Sequence, residues 1–216
     1  MTAPLHFHLS HRSRVWLLIL AGLLLLLLLN TQQAMANDER SIRLFRDEIV
    51  SLGPTVNPAE AKMVSETSYH AASKYRKEWR VFPSAIFNNF LIYIGARQRG
   101  YCFHWAHAIG AELRKLPLKT LELHWAEAYP GGQLEHNVVV VTLPGQPIRT
   151  GYIIDGWRAA GRLFWWPVAK DEYPWKENPT HTAWLQHRGP DPLPGLDEAV
   201  TKEGTPKANR RVVGTL

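Results

Sequence analysis

The 216-residue chain contains a single cysteine, Cys102. No intramolecular disulfide is possible, so a framework of bridges, the usual support of small exported domains, is excluded. The first 36 residues contain no acidic side chain. No cysteine stands at the end of the apolar run that begins at Val15, which excludes a lipid-anchored lipoprotein. There is no internal repeat and no stripe of basic residues: the formal charge of +6 is scattered, which argues against a nucleic-acid partner. Disorder of the bulk is excluded by 45% hydrophobic and 20% charged residues, ordinary values for a globular chain.

What the N-terminus does carry is the layout of an export signal. Arg12 and Arg14 precede the apolar run Val15 to Leu29, broken only by Gly22, then come Asn30 to Gln33 and Ala34-Met35-Ala36. A basic region, an apolar region and a small-x-small site in that order predict a signal peptide over 1–36, cut after Ala36, and a periplasmic or secreted protein. The alternative is an uncleaved N-terminal anchor, which would be the only membrane contact. Fifteen residues of helix cover about 22 Å, short of the ~30 Å hydrocarbon core. Without the signal, 180 residues of charge +4 remain, enough for one domain with a core. That charge suits solubility and attraction to an anionic envelope. The chain thus divides into 1–36, a single domain over 37–188, and a loosely ordered tail over 189–216, where Pro, Gly and charge accumulate.

Apolar spacing predicts a helix from Asp38 to Leu52, with Ile42, Phe45, Ile49 and Leu52 on one face. Asn57 as N-cap, Pro58 at the first position and Glu60 reaching back to the cap predict a second helix running to about Arg80. Ser84 caps a third over Ala85 to Ile94, and a fourth starts at Cys102 and ends before Pro117. The period then changes to two. Leu121 to Trp125, His136 to Leu143, Tyr152 to Trp157 and Arg162 to Val168 read as strands. Helices first and antiparallel strands second predict an α+β domain, a helical N-terminal half packed on an antiparallel sheet.

A thiol attacks as its thiolate, and a free cysteine with pKa ~8.5 is only slightly ionised at neutral pH. Cys102 sits where a loop punctuated by Gly100 enters a helix, so unpaired N–H groups and the helix dipole favour negative sulfur. A histidine from elsewhere would complete an ion pair. His104 and His107 lie roughly 200° and 140° around the helix from Cys102, so neither points at it. With no further ligands beside them, they read as core or helix-surface histidines rather than a metal site. His136 opens a strand behind Pro130-Gly131-Gly132, where its side chain can project into a cleft beside a helix N-terminus. Asp155 stands in an apolar strand and needs a partner if buried. That partner is an imidazole to orient; equally, Asp155-Gly156 is a hairpin dipeptide.

The segments Arg99-Gly100-Tyr101-Cys102-Phe103-His104-Trp105-Ala106, Glu135-His136-Asn137-Val138-Val139-Val140 and Ile153-Ile154-Asp155-Gly156-Trp157, spaced 34 and 19 residues apart, resemble the transglutaminase-like branch of papain-type cysteine hydrolases. The resemblance covers about Ala85 to Val168. It implies a papain- or transglutaminase-like core with Cys102 as nucleophile, His136 as base and then acid, and Asp155 as orienting group. An aromatic residue commonly follows the histidine in that family, whereas Asn137 does here. The oxyanion hole implied would combine the Cys102 N–H with a side-chain donor, Gln98 being the candidate and Asn88 and Asn89 the alternatives. Tyr101, Trp105 and Trp157, with Trp125, Trp165 and Trp166, are candidates to line a peptide groove, or else are core.

The function implied is cleavage or transfer at amide bonds of a peptide or protein substrate in the cell envelope, without cofactor or metal. An NlpC-type cell-wall endopeptidase is an alternative, although Phe103-His104 stands where a small residue and glycine usually follow the cysteine. So is a non-catalytic envelope-binding protein with Cys102 buried and inert.

Overall fold

In the computed structural model, residues 11–194 and 196 are described, with side chains continuous from Asp38 to Pro194. The chain divides at Leu44/Phe45 into two compact units. Most of the first is the start of α1 (His11–Val50), one helix that passes unbroken through the predicted cleavage position. The helix predicted from Asp38 is therefore the last part of a longer one. Among the described residues no helix is long and apolar enough to cross a membrane; part of the run Val15 to Leu29 lies outside the described side chains. Of the tail expected from 189, residue 195 and residues 197–216 lie outside the described residues.

The second unit is an α+β domain. Its helices are α2 (Pro58–Glu78), α3 (Ala85–Tyr93), α4 (Cys102–Leu113) and α5 (Pro179–Leu185). Its strands are β1 (Glu122–Ala128), β2 (His136–Thr142), β3 (Tyr152–Asp155), β4 (Phe164–Pro167) and β5 (Lys176–Glu177). They form one antiparallel sheet in the order β4-β3-β2-β1-β5. The first four make a meander, and β5 returns to the far side of β1.

The period-two pattern of β2 sorts its valines between two cores. Val139 and Val141 join the main core with Trp105, Ile109 and Leu113 of α4, Ala61 and Val64 of α2, and Phe45 and Ile49. Val138 and Val140 point to the opposite face, with Ile148, Ile153 and Val168 against Trp175. Burying a Leu, Ile or Val side chain contributes about 1.5–3 kcal/mol, so the α4 face holds most of the domain together. Neither β5 nor α5 is foreseen from the sequence. Yet α5 sends Trp184 and Leu185 into the main core, and its Thr182 Oγ1 accepts a hydrogen bond from the Trp125 N–H at 2.9 Å.

Asn57 does cap α2, its side chain accepting from the Ala59 N–H. Glu60 does not reach back to it, as the capping-box reading expects. The Asn57 N–H donates instead to Thr120 Oγ1, and Glu60 Oε2 accepts from the N–H groups of Lys119 and Thr120 and the Thr120 hydroxyl. The carboxylate has three donors there against one at the cap, so it fastens α2 to the lead-in of β1.

Candidate active site

Cys102 is the first residue of α4, half-buried, with Tyr101 as N-cap in extended conformation. The loop before it turns on Gly100 at φ +131, in the region that side chains disfavour. His104 holds that loop. Its Nδ1 accepts from the N–H groups of Gly100 and Tyr101, at 3.2 and 3.1 Å. Burial, aided by the charge of Arg99, lowers its pKa to about 3, so the ring stays neutral and keeps an acceptor lone pair. His107 is also buried; its Nε2 lies 3.0 Å from an oxygen of Asp191. Leu193 packs on the main core, so the described start of the expected tail is docked on the domain.

His136 opens β2 and Asp155 closes β3. The register that sets Ile154 opposite Val139 places Asp155 beside Val138, diagonal to His136 on the same face. His136 Nε2 and Asp155 Oδ2 are 2.8 Å apart and both residues are 2% exposed. The other carboxylate oxygen accepts from the N–H groups of Trp157 and Arg158, at 2.7 and 3.1 Å. Asp155 thus serves both as the turn residue and as the partner of the imidazole. Gly156 follows because a Cβ there would meet the Trp105 ring at 2.6 Å.

The remaining nitrogen of the imidazole, Nδ1, is buried and makes no well-formed hydrogen bond among the described residues, with the Cys102 side chain its neighbour. The Cys102 sulfur is close enough to bias the ring's titration, but it is turned toward the Glu135 carbonyl, 3.5 Å away. Burial opposes charge on His136; the Asp155 hydrogen bond and the nearby Cys102 outweigh it and push its pKa up to about 9. The ring is walled by Trp157, Tyr173 and Trp175, with centroids at 4.9, 5.3 and 5.5 Å.

A second charged layer stands behind Asp155. Arg158 Nε lies 3.3 Å from Asp155 Oδ2, outside hydrogen-bond geometry for that N–H. Arg158 Nη1 bonds Asp171 Oδ2 at 2.7 Å. Asp171 also accepts from Tyr173 N–H and Trp175 Nε1. Burial works against its charge, but Arg158 and these donors hold its carboxyl below the usual range. The layer ties the aromatic wall to the His–Asp pair.

Asn137 is the other arrival that the sequence reading did not single out. Its Nδ2 is 3.8 Å from the Cys102 sulfur and 2.9 Å from Glu135 Oε1. Its Oδ1 accepts from Trp125 Nε1 at 2.9 Å. The indole can only donate, so it fixes which end of the amide faces the sulfur. Glu135 is held in turn by the Gly131 N–H.

Cys102, His136 and Asp155 therefore come together from three elements. Gln98 is exposed in the loop before Gly100 and makes no hydrogen bond among the described residues. Asn88 is buried within α3's own cap, and Asn89 accepts from the Trp157 indole. Of the groove candidates, Trp157 borders His136, and Tyr101 is half-buried and stacked on Phe103 and His104. Trp105 is a correction: it is 1% exposed, packed edge-on to Trp79, and belongs to the core. Trp125 is likewise buried, whereas Trp166 is exposed on edge strand β4. Signals for His104 and Asn137 were present, a polar residue at the third position of a helix and an amide beside the histidine, but their partners are distant in sequence.

Compared with protein-family models, with curated proteins and with solved structures, the chain matches none.

Proposed function

We propose that the chain is an exported cysteine hydrolase or acyltransferase acting on amide bonds, with Cys102 as nucleophile, His136 as acid–base and Asp155 as orienting group. One observation carries the reading. A buried His–Asp pair at 2.8 Å leaves the other ring nitrogen without a well-formed hydrogen bond, beside a thiol at a helix N-terminus. Leaving a buried ring nitrogen unbonded costs about 1–3 kcal/mol, a penalty that suits an atom with a proton to exchange.

In this mechanism His136, with its pKa raised to about 9, stands at neutral pH as an imidazolium with a proton on Nδ1. The Cys102 sulfur, turned from the Glu135 carbonyl toward it, attacks as the thiolate paired with that charge. The thiolate attacks the amide carbonyl carbon and the carbonyl oxygen takes the negative charge. The C–N bond then breaks as the imidazolium returns its proton to the leaving amine, which leaves a thioester on Cys102. Water or a second amine, deprotonated by His136, resolves it. Asp155 keeps Nε2 protonated and steadies the imidazolium. The α+β arrangement, with a helix-borne cysteine on a sheet that brings His and Asp, is compatible with the papain-type resemblance. The substrate class that follows is a peptide or protein of the envelope.

The test is the pH dependence of Cys102 alkylation by iodoacetamide in the full chain and in His136→Ala. Fast reaction at pH 6 that slows clearly in the variant supports an activated pair. A thiol inert until the protein unfolds would replace the reading with that of a binding protein whose cysteine is structural. Products from a glutamine-containing peptide and from muropeptides then separate the transglutaminase-like and NlpC-type chemistries.

A further inference from the structure

Helix α3 is turned inside out. Its buried residue is polar: Asn88 donates to the carbonyls of Phe82 and Ser84 and accepts from the Phe82 N–H. Asn89 also faces the domain, accepting from Trp157 Nε1 at 3.1 Å. Leu91 and Ile92 are half-buried, but the other large apolar residues face the other way. Ile86 is 77% exposed and Tyr93 79%, while Phe82, Phe87, Phe90 and Ile94 are each near half. The three phenylalanines touch in series, with centroids 5.0 and 6.0 Å apart, so the patch is continuous. Single exposed apolar residues are ordinary; a continuous cluster on one short helix marks a surface that meets something apolar.

Charge identifies the occupant. From Trp79 to Ala111 the sequence has no Asp or Glu, while Arg80 and Arg97 flank the helix; Arg99 is engaged elsewhere, with the Leu196 carbonyl. A second copy of the chain on the same patch would bring these cations together without acidic partners from either segment. An anionic lipid surface answers both halves of the pattern, with acyl chains for the apolar side chains and headgroups for the arginines. We propose that α3 and its flanking turns dock on an anionic bilayer, with Ile86, Phe90 and Tyr93 entering the acyl boundary. A Cβ at Gly100 would meet Ile92 at 3.3 Å, so α3 lies against the loop that leads into Cys102. Docking there holds Cys102 close to the lipid surface and favours substrates at or in the membrane. The docking itself stands whether or not Cys102 is a nucleophile.

The experiment uses the full chain carrying Cys102→Ser and Tyr93→Cys, with an environment-sensitive nitrobenzoxadiazole label at position 93. It is mixed with vesicles of phosphatidylglycerol and phosphatidylethanolamine, and separately with phosphatidylcholine vesicles; flotation confirms that both take up the chain. Any attachment through Val15 to Leu29 would be common to both, so the label reports α3 alone. A several-fold rise and blue shift of emission in the anionic vesicles only is expected. Ile86→Asp with Phe90→Asp should abolish it while far-UV circular dichroism stays unchanged. Emission typical of water in both vesicle types overturns the proposal, as does an equal shift in both. A shift already present without lipid overturns it too: concentration dependence would assign the patch to self-association, and independence to cover by another part of the chain. An Ile86→Cys label in the Cys102→Ser chain keeps the test valid if Tyr93→Cys misfolds.

Discussion

Asn137 presents its amide nitrogen to the Cys102 sulfur at 3.8 Å, with its oxygen locked on the Trp125 indole. A donor that faces the sulfur in the resting state is placed to meet the oxygen of a carbonyl attached to that sulfur. Under the proposed function, Asn137→Ala should lower kcat about 100- to 1000-fold with little change in KM, the cost of one oxyanion donor. Fast alkylation at pH 6 should persist, because the amide is not the base. Gln98→Ala, at an exposed position, should leave both unchanged. The reverse pattern would return the oxyanion role to Gln98.

Asp155→Asn keeps the size of the side chain but offers its nitrogen or a weaker acceptor to His136. The ring loses the partner that fixes its tautomer, and turnover should fall about 10,000-fold. Alkylation at pH 6 should slow as in His136→Ala. A variant that alkylates like wild type would show that the sulfur does not depend on the pair.

The raised pKa of His136 makes stability depend on pH. Its folded value of about 9 lies above the unfolded 6.5. The stabilisation is fully present below about pH 6.5 and is lost as pH rises through 9, amounting to on the order of 3 kcal/mol. Urea midpoints measured between pH 6 and pH 10 should fall over that window. The fall should be much smaller in His136→Gln.

Asp171 and Arg158 stand as a largely buried pair, 3% and 22% exposed. Asp171→Asn removes the acceptor of Arg158 Nη1 and leaves the guanidinium only the Asp155 carboxylate, 3.3 Å from its Nε; it should cost about 3 kcal/mol by chemical denaturation. Arg158→Met with Asp171→Asn should cost less than the two single changes added together, since each single change already breaks the same bond.

Glu60→Ala leaves the N–H groups of Lys119 and Thr120 without their acceptor. A loss of about 2 kcal/mol is expected. Were the glutamate a helix cap, Glu60→Gln would restore most of it. Because the three donors converge on a charged oxygen and the Gln carbonyl is neutral, Gln should restore only part.

Much of this was legible because it is local. Caps at Asn57 and Ser84, the glycine before Cys102 and the alternation of β2 are decided by neighbours in sequence. The cysteine, histidine and aspartate were legible as residue types that need one another. What escaped depends on distant partners. Glu60 is bound by residues about sixty positions away, Asn137 is oriented by Trp125, and Arg158 is matched by Asp171. Two-residue β5 and seven-residue α5 are too short to show a period. Trp105 carries the same aromatic signal whether it lines a groove or fills a core, and only the packing of Gly156 and Trp79 against it decides.

Strand order has a consequence for when the site comes into being. β1 to β4 pair with their sequence neighbours and can zip hairpin by hairpin, whereas β5 must travel back across the sheet to reach β1. The chain from Asp171 onward arrives with that late step: Asp171 on Arg158, the rings of Tyr173 and Trp175 around His136, and α5 beneath Trp125. Until then the histidine and its carboxylate meet in water, where their attraction is weak. A chain that folds in that order carries its thiol before it carries a dry imidazole to arm it.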